Sequence, residues 1–133
     1  MNLITRVILL VIWIGVMLSF IWTHDIHGAL YSVHFNFDIN PNPRFLDVFI
    51  FQDFNYTSPI FWIAKLAHFF GFAIFDGLLF WLIKNKTLTL CGSIAFAIFT
   101  EILQLYFYRD GRLYDMMIDS LGAFLMYFII SKN

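Results

Sequence analysis

Thr87 to Gly122 reads as a hydrophobic span, a short polar turn and a second hydrophobic span. It carries Glu101, Gln104, Arg109, Arg112, Asp115 and Asp119 among Leu, Ile, Phe, Met and Tyr. No other stretch restricts the fold as much. A carboxylate near the centre of a bilayer costs a few kcal/mol, so it persists mainly where it faces partners or water. The stretch predicts a small membrane protein of helices, with a polar site in the half of the membrane that these residues reach.

Composition agrees. Of 133 residues, 61% are hydrophobic and only 13% charged, and the mean hydropathy of +0.78 lies far outside the soluble globular range. The length allows one domain, spanning residues 1–133. A net charge of −1 without a basic patch argues against nucleic acid as a partner. Cys91, the one cysteine, excludes an intrachain disulfide and is expected to be a small buried apolar residue.

Four runs have spanning length. Val7 to Trp22 follows Arg6; it is long for the core of a signal peptide and no small-x-small site follows, so it is expected to be a retained first helix anchored by Trp22. Ile60 to Ile83, Thr87 to Tyr108 and Leu113 to Ile130 are the others, linked by Lys84-Asn85-Lys86 and by Arg109-Asp110-Gly111-Arg112. Gly111 is expected to give that second turn its freedom to reverse. The fold class is therefore an all-α integral membrane protein, an antiparallel bundle of four transmembrane helices. Arg6, Lys84, Lys86 and Lys132 fall on one side, and acidic residues balance Arg44, Arg109 and Arg112 on the other. The positive-inside rule then puts both termini in the cytoplasm.

Residues 24–59 form the outer segment, with all three prolines and many aromatic residues. Within it, Phe45, Leu46, Phe49 and Ile50 fall on one face of a helix over Arg44 to Gln52, with Asn42-Pro43 as its start. An interfacial helix between spans one and two is expected there. His24 and His27 sit at i, i+3, but interfacial histidines more often lack a purpose-built metal site.

Depth brings the polar residues together. At 1.5 Å per residue, His68 lies about 12 Å, Glu101 about 10 Å and Asp119 about 9 Å below the same surface. Lys65 and His68, Glu101 and Gln104, and Asp115 and Asp119 each share a helix face. Gly122 continues the Asp119 face and Gly111 lies in the outer turn, and both favour close helix approach near the site. Polar residues can simply glue membrane helices together, and Asp76, nearer the inner side, is read that way. The cluster holds too many ionisable groups at one depth for glue alone.

Lys65-Leu-Ala-His68-Phe69, Glu101-Ile-Leu-Gln104, Arg109-Asp-Gly111, Asp115 and Ile118-Asp119-Ser-Leu-Gly122-Ala123 together resemble the motifs of VanZ-like membrane proteins across about residues 60–130. Ala64 stands where an acidic residue is often found and Phe72 where tyrosine is common. The interval after Gln104 is short, so either Arg109 or Arg112 holds the family's arginine position. The resemblance implies a four-helix protein of the bacterial cytoplasmic membrane, whose family namesake is associated with reduced susceptibility to the glycopeptide teicoplanin. It implies no known reaction.

Three functions compete. In the first, His68, Glu101 and Asp119 are catalytic, with His68 as acid or base, or hold a divalent metal. Lys65, Gln104, Arg109, Arg112 and Asp115 then grip a lipid-linked or glycopeptide-like envelope ligand. In the second, the protein is a non-catalytic assembly factor: the cluster only fixes helix packing, and the aromatic outer segment, His34 to Tyr56, binds a membrane-protein partner, a second copy or lipid head groups. The third, a transporter with a carboxylate proton relay, suits four short spans without a repeat least well. No CxxCH, phosphate-cradling glycine loop or serine-nucleophile motif is present.

Overall fold

A computed structural model describes residues 2–23, 26–52 and 57–132. His24 lies outside them, and so does the side chain of His27, so the possible histidine pair falls outside the described residues. Among the described residues the chain is all-helical: α1 (Leu3–Trp22), α2 (Ile26–Ser32), α3 (Pro59–Ile83), α4 (Lys86–Gln104) and α5 (Leu113–Lys132). Two short 3-10 turns, Phe45–Phe49 and Leu105–Phe107, complete it. α1, α3, α4 with its 3-10 extension, and α5 are each long and apolar enough to cross a membrane.

Local chemistry sets the ends of these helices. Asn2 caps α1 by accepting from the Thr5 amide, and Asn85 caps α4 by accepting from the Leu88 amide. Pro59 opens α3, where its missing N–H costs nothing. Lys84 closes α3 in the left-handed region and donates its amide to the Phe80 carbonyl. Tyr108 takes the same conformation after the second 3-10 turn. The left-handed residues at these links are thus Lys84 and Tyr108. Gly111 has no positive φ, which corrects the expectation that it frees the turn. A Cβ there would collide with the Glu101 carbonyl, so glycine is needed for close backbone approach.

α3 is central and packs on α5, α4 and α1. Phe72, Phe75, Ala97, Leu10, Met17 and Ile21 form the main apolar core, with Phe75 and Phe96 stacked at 4.7 Å between centroids. α4 is turned polar side in. Its buried stripe is Thr89, Ser93, Ala97, Thr100, Glu101 and Gln104, while Leu88, Ile98, Phe99 and Ile102 face outward. That is the inverse of a soluble amphipathic helix, as expected where the surrounding solvent is lipid. Gly122 lets α5 approach α3, because a Cβ there would strike the Phe69 carbonyl. Cys91 is exposed on α4. The expectation that it is buried applied a rule of soluble proteins to a helix whose apolar side faces lipid.

The outer segment departs most from expectation. A helix α2 occupies Ile26–Ser32, and the periodic stretch at Arg44 is a five-residue 3-10 turn capped by Arg44, with Pro43 before it. Phe45, Leu46 and Phe49 point outward, and Val48 is the residue that packs inward, against Leu105 and Met116. Residues 33–52 are tied down elsewhere too. The Asn36 amide donates to Thr23 Oγ1, and Asn40 donates to the Tyr106 and Leu105 carbonyls. The segment lies as a strap over the end of the bundle where α4 passes into α5.

Candidate functional site

Beneath the strap, α3, α4 and α5 bring the ionisable side chains together in two linked groups. The first is an ion pair between Lys65 of α3 and Asp115 of α5. Lys65 Nζ lies 2.6 and 2.7 Å from the two carboxylate oxygens, and the rings of Phe61 and Tyr114 flank it, each 4.8 Å from centroid to nitrogen. Aromatic faces on an ammonium group partly replace its lost water.

The second group is centred on His68, one turn deeper on α3. Its Nδ1 lies 3.0 Å from Asp119 Oδ1 and 3.8 Å from Glu101 Oε1. Glu101 and Asp119 are fully buried. Both oxygens of Glu101 are held, Oε1 by Gln104 Nε2 at 2.6 Å and Oε2 by the Arg112 backbone amide at 3.1 Å. Glu101 thus ties the end of α4 to the turn that launches α5. Asp119 differs, since its Oδ2 is buried without a hydrogen-bond partner among the described residues. His68, Glu101 and Asp119 each offer a ligand atom within 4.8 Å of the other two, so an imidazole and two carboxylates are close enough to hold a divalent cation.

The two arginines part company. Arg112 is buried and directs its guanidinium to the Asp47 carbonyl of the strap at 2.6 Å and to Asp110 at 3.0 Å. Arg109 instead lines a cavity of about 280 Å³ together with His68. Burial lowers its pKa from the usual arginine value, and the carboxylates of Glu101, Asp110 and Asp115 oppose that shift. Its Nε is buried without a partner.

The rest of that cavity is apolar. α1 contributes Trp13, Val16, Met17, Phe20 and Ile21, and α3 contributes Ile63 to Ile74 along one face. Trp13 donates its indole N–H to the Gly71 carbonyl at 3.1 Å and fixes the α1–α3 seam there. Sequence reasoning gave α1 no part in the site, because apolar residues on an apolar span carry no contrast. The spacing Trp13, Met17, Ile21 was the available signal. Asp76 stays apart, fully buried and bonded to Ser93 Oγ at 2.7 Å.

The structure therefore assembles Lys65, His68, Glu101, Gln104, Asp115 and Asp119, places Arg109 at the cavity and engages Arg112 in the strap. Chemically, an Asp119-held imidazole has its Nδ1 occupied and leaves Nε2 for a ligand. The chain matches the VanZ/LLP1 family across residues 4–132. It is also 35% identical over 129 residues, 95% of this chain and 91% of the relative, to the Bacillus subtilis (strain 168) protein YwnJ, described as an uncharacterized membrane protein. No solved structure matches it.

Proposed function

Because this chain belongs to the VanZ-like family of membrane proteins, we propose that it is a bacterial envelope protein with an intramembrane site that binds or modifies a lipid-linked envelope ligand. Its residues form one four-span domain of the cytoplasmic membrane, the termini and the Lys84–Lys86 turn inside and the strap outside. The family's association with reduced glycopeptide susceptibility is the expected phenotype of this activity.

The observation that carries the reading is the pairing of His68 with Asp119 at the wall of a cavity that also holds Arg109. A carboxylate on Nδ1 selects the tautomer and orientation of the ring and stabilises its protonated form, which suits proton transfer at Nε2. Glu101, 3.8 Å away, adds negative charge on the same side. Lys65, Gln104 and Asp115 hold the frame of the site, and Arg109 supplies the cation for an anionic ligand. Magnitudes favour this over packing alone. A central carboxylate costs roughly 3 kcal/mol on insertion scales, whereas an interhelical polar contact returns roughly 1 kcal/mol. A glue of neutral side chains would be cheaper than three acids, a lysine and a histidine.

A second reading, a scaffold without chemistry, draws on Glu101, whose two oxygens are both engaged in holding the α4–α5 turn. The test is teicoplanin susceptibility of cells expressing the wild type, His68→Ala and Glu101→Gln, with membrane levels matched by blot. The proposal expects protection by the wild type and its loss in His68→Ala at unchanged protein level. Protection retained in His68→Ala makes the cluster structural and leaves the scaffold reading.

A further inference from the structure

α3 carries Ala64, Ala67 and Gly71 on the face it turns to α1, and these small residues hollow out the seam between the two helices. The rim is open to the surroundings: Val16, Ile63, Phe70 and Ile74 are all exposed. From Ile63 to Ile74 the hollow follows α3 for eleven residues, about 16 Å at the helical rise, or half of a hydrocarbon layer roughly 30 Å thick. It is thus one leaflet deep and, apart from His68 and Arg109, lined by apolar residues.

Two further facts restrict what can occupy it. The end of the bundle where α4 passes into α5 is roofed by the strap, through Asn40, Asp47 and Val48, so among the described residues the seam is the open wall. The volume, about 280 Å³, lies at the lower limit for a pocket that encloses a whole drug-sized ligand. A whole glycopeptide does not fit; a hydrocarbon chain does. Arg109 makes no ion pair among the described residues, and its Nε is buried without a partner, in contrast to Arg112. A cation with spare donors on the wall of an apolar trough of this length is complementary to an anion carrying a tail.

We infer that the α1–α3 seam takes one acyl chain of an anionic phospholipid sideways from the surrounding leaflet, with the lipid phosphate bound by Arg109 next to His68. This rests on the proposed function in that it names the ligand class and entry route of the same site. The headgroup enters below the strap, and the site needs no opening towards water.

Trp13 lines the trough and provides the probe. The full chain, with Trp22, Trp62 and Trp81 changed to Phe, is reconstituted in phosphatidylcholine vesicles. A small fixed fraction of the lipid is brominated phosphatidylglycerol or brominated phosphatidylcholine, and quenching of Trp13 is read. The expected result is a preference for the brominated anionic lipid of roughly tenfold in apparent affinity, the scale of one charge-assisted hydrogen bond. Arg109→Gln should remove that preference, and Ala67→Leu, at an exposed rim position, should reduce quenching by both lipids. Lipid capture is read on purified protein and the phenotype that tests the proposed function is read on cells, so the two can fail independently. Equal quenching by the two lipids in the wild type overturns the inference. So does a preference that survives Arg109→Gln, or one abolished by excess inorganic phosphate, which would make the site one for the free anion. Helical circular dichroism of each variant ensures that a lost preference is read on folded protein.

Discussion

The bundle buries carboxylates in two places, and they are treated differently. Away from the strap Asp76 meets one neutral partner, Ser93, and among the described residues neither makes an ion pair. Beneath the strap Asp115, Asp119 and Glu101 share a small volume with Lys65 and His68, one carboxylate oxygen is left without a partner among the described residues, and a cavity adjoins. Both arrangements join helices. The Asp76 one does so with two polar side chains. The other spends far more desolvation than packing requires, and it leaves Asp119 Oδ2 and Arg109 Nε without partners among the described residues. Surplus polarity, rather than polarity itself, separates a site from a seam.

The largest effect expected on this contrast comes from Gly122→Val. Gly122 brings α5 against the α3 backbone one residue after His68, and any Cβ would strike the Phe69 carbonyl. Backbone cannot give way as a side chain can, so the cost should exceed the usual 1–3 kcal/mol or so of overpacking. Near-complete loss of the protein from membranes, read by blot, is the outcome expected. Normal accumulation would mean that the close approach of α3 and α5 is dispensable to the site beneath the strap.

Next comes Lys65→Met. It leaves Asp115 buried and unpaired, and removing one partner of a buried pair costs about 3–5 kcal/mol. Restoration should come from Lys65→Met combined with Asp115→Leu, measured as unfolding in detergent micelles. If the double variant is no more stable than the single, the pair does more than neutralise itself.

How far the sequence revealed the two regions follows the same physics. Depth arithmetic put His68, Glu101 and Asp119 at one level, and they meet within 4.8 Å, because a helix of fixed rise leaves little freedom along a span. The same reasoning separated Asp76. The strap was not legible in this way. Phe45, Leu46 and Phe49 carry a helical period, yet a five-residue 3-10 turn does not sort residues by 3.6, and Val48 faces in instead. Gly111 was read both for freedom and for close approach, and it serves closeness alone. The cavity was hidden for another reason: hydrophobicity marks both lipid-facing and buried residues in α1, so Trp13 and Met17 look like their neighbours. The sequence signals partners only where they are polar.

A smaller effect is expected from Ser93→Ala. It deletes the single donor to Asp76, and interhelical polar contacts average below 1 kcal/mol or so in membranes. Unfolding in micelles should shift slightly, with the protective phenotype intact. A drop as large as that of Lys65→Met would show that Asp76 is not simple glue.

The smallest change, Asp76→Asn, sharpens the contrast most when set beside Asp119→Asn. Ser93 Oγ donates to Asp76 Oδ1, and an asparagine carbonyl oxygen can accept the same bond. At position 76 the substitution removes a potential buried charge and keeps the contact, so stability in micelles should stay within about 0.5 kcal/mol of wild type, as for changes outside the disruptive classes. At position 119 the same swap takes the negative charge from beside His68 while preserving side-chain shape. The imidazole then loses the partner that stabilises its protonated form and holds its tautomer, and the phenotype should fail although the helices still pack. Equal tolerance at both positions would erase the distinction between site and seam, since the two carboxylates would then differ in their surroundings but not in what they do.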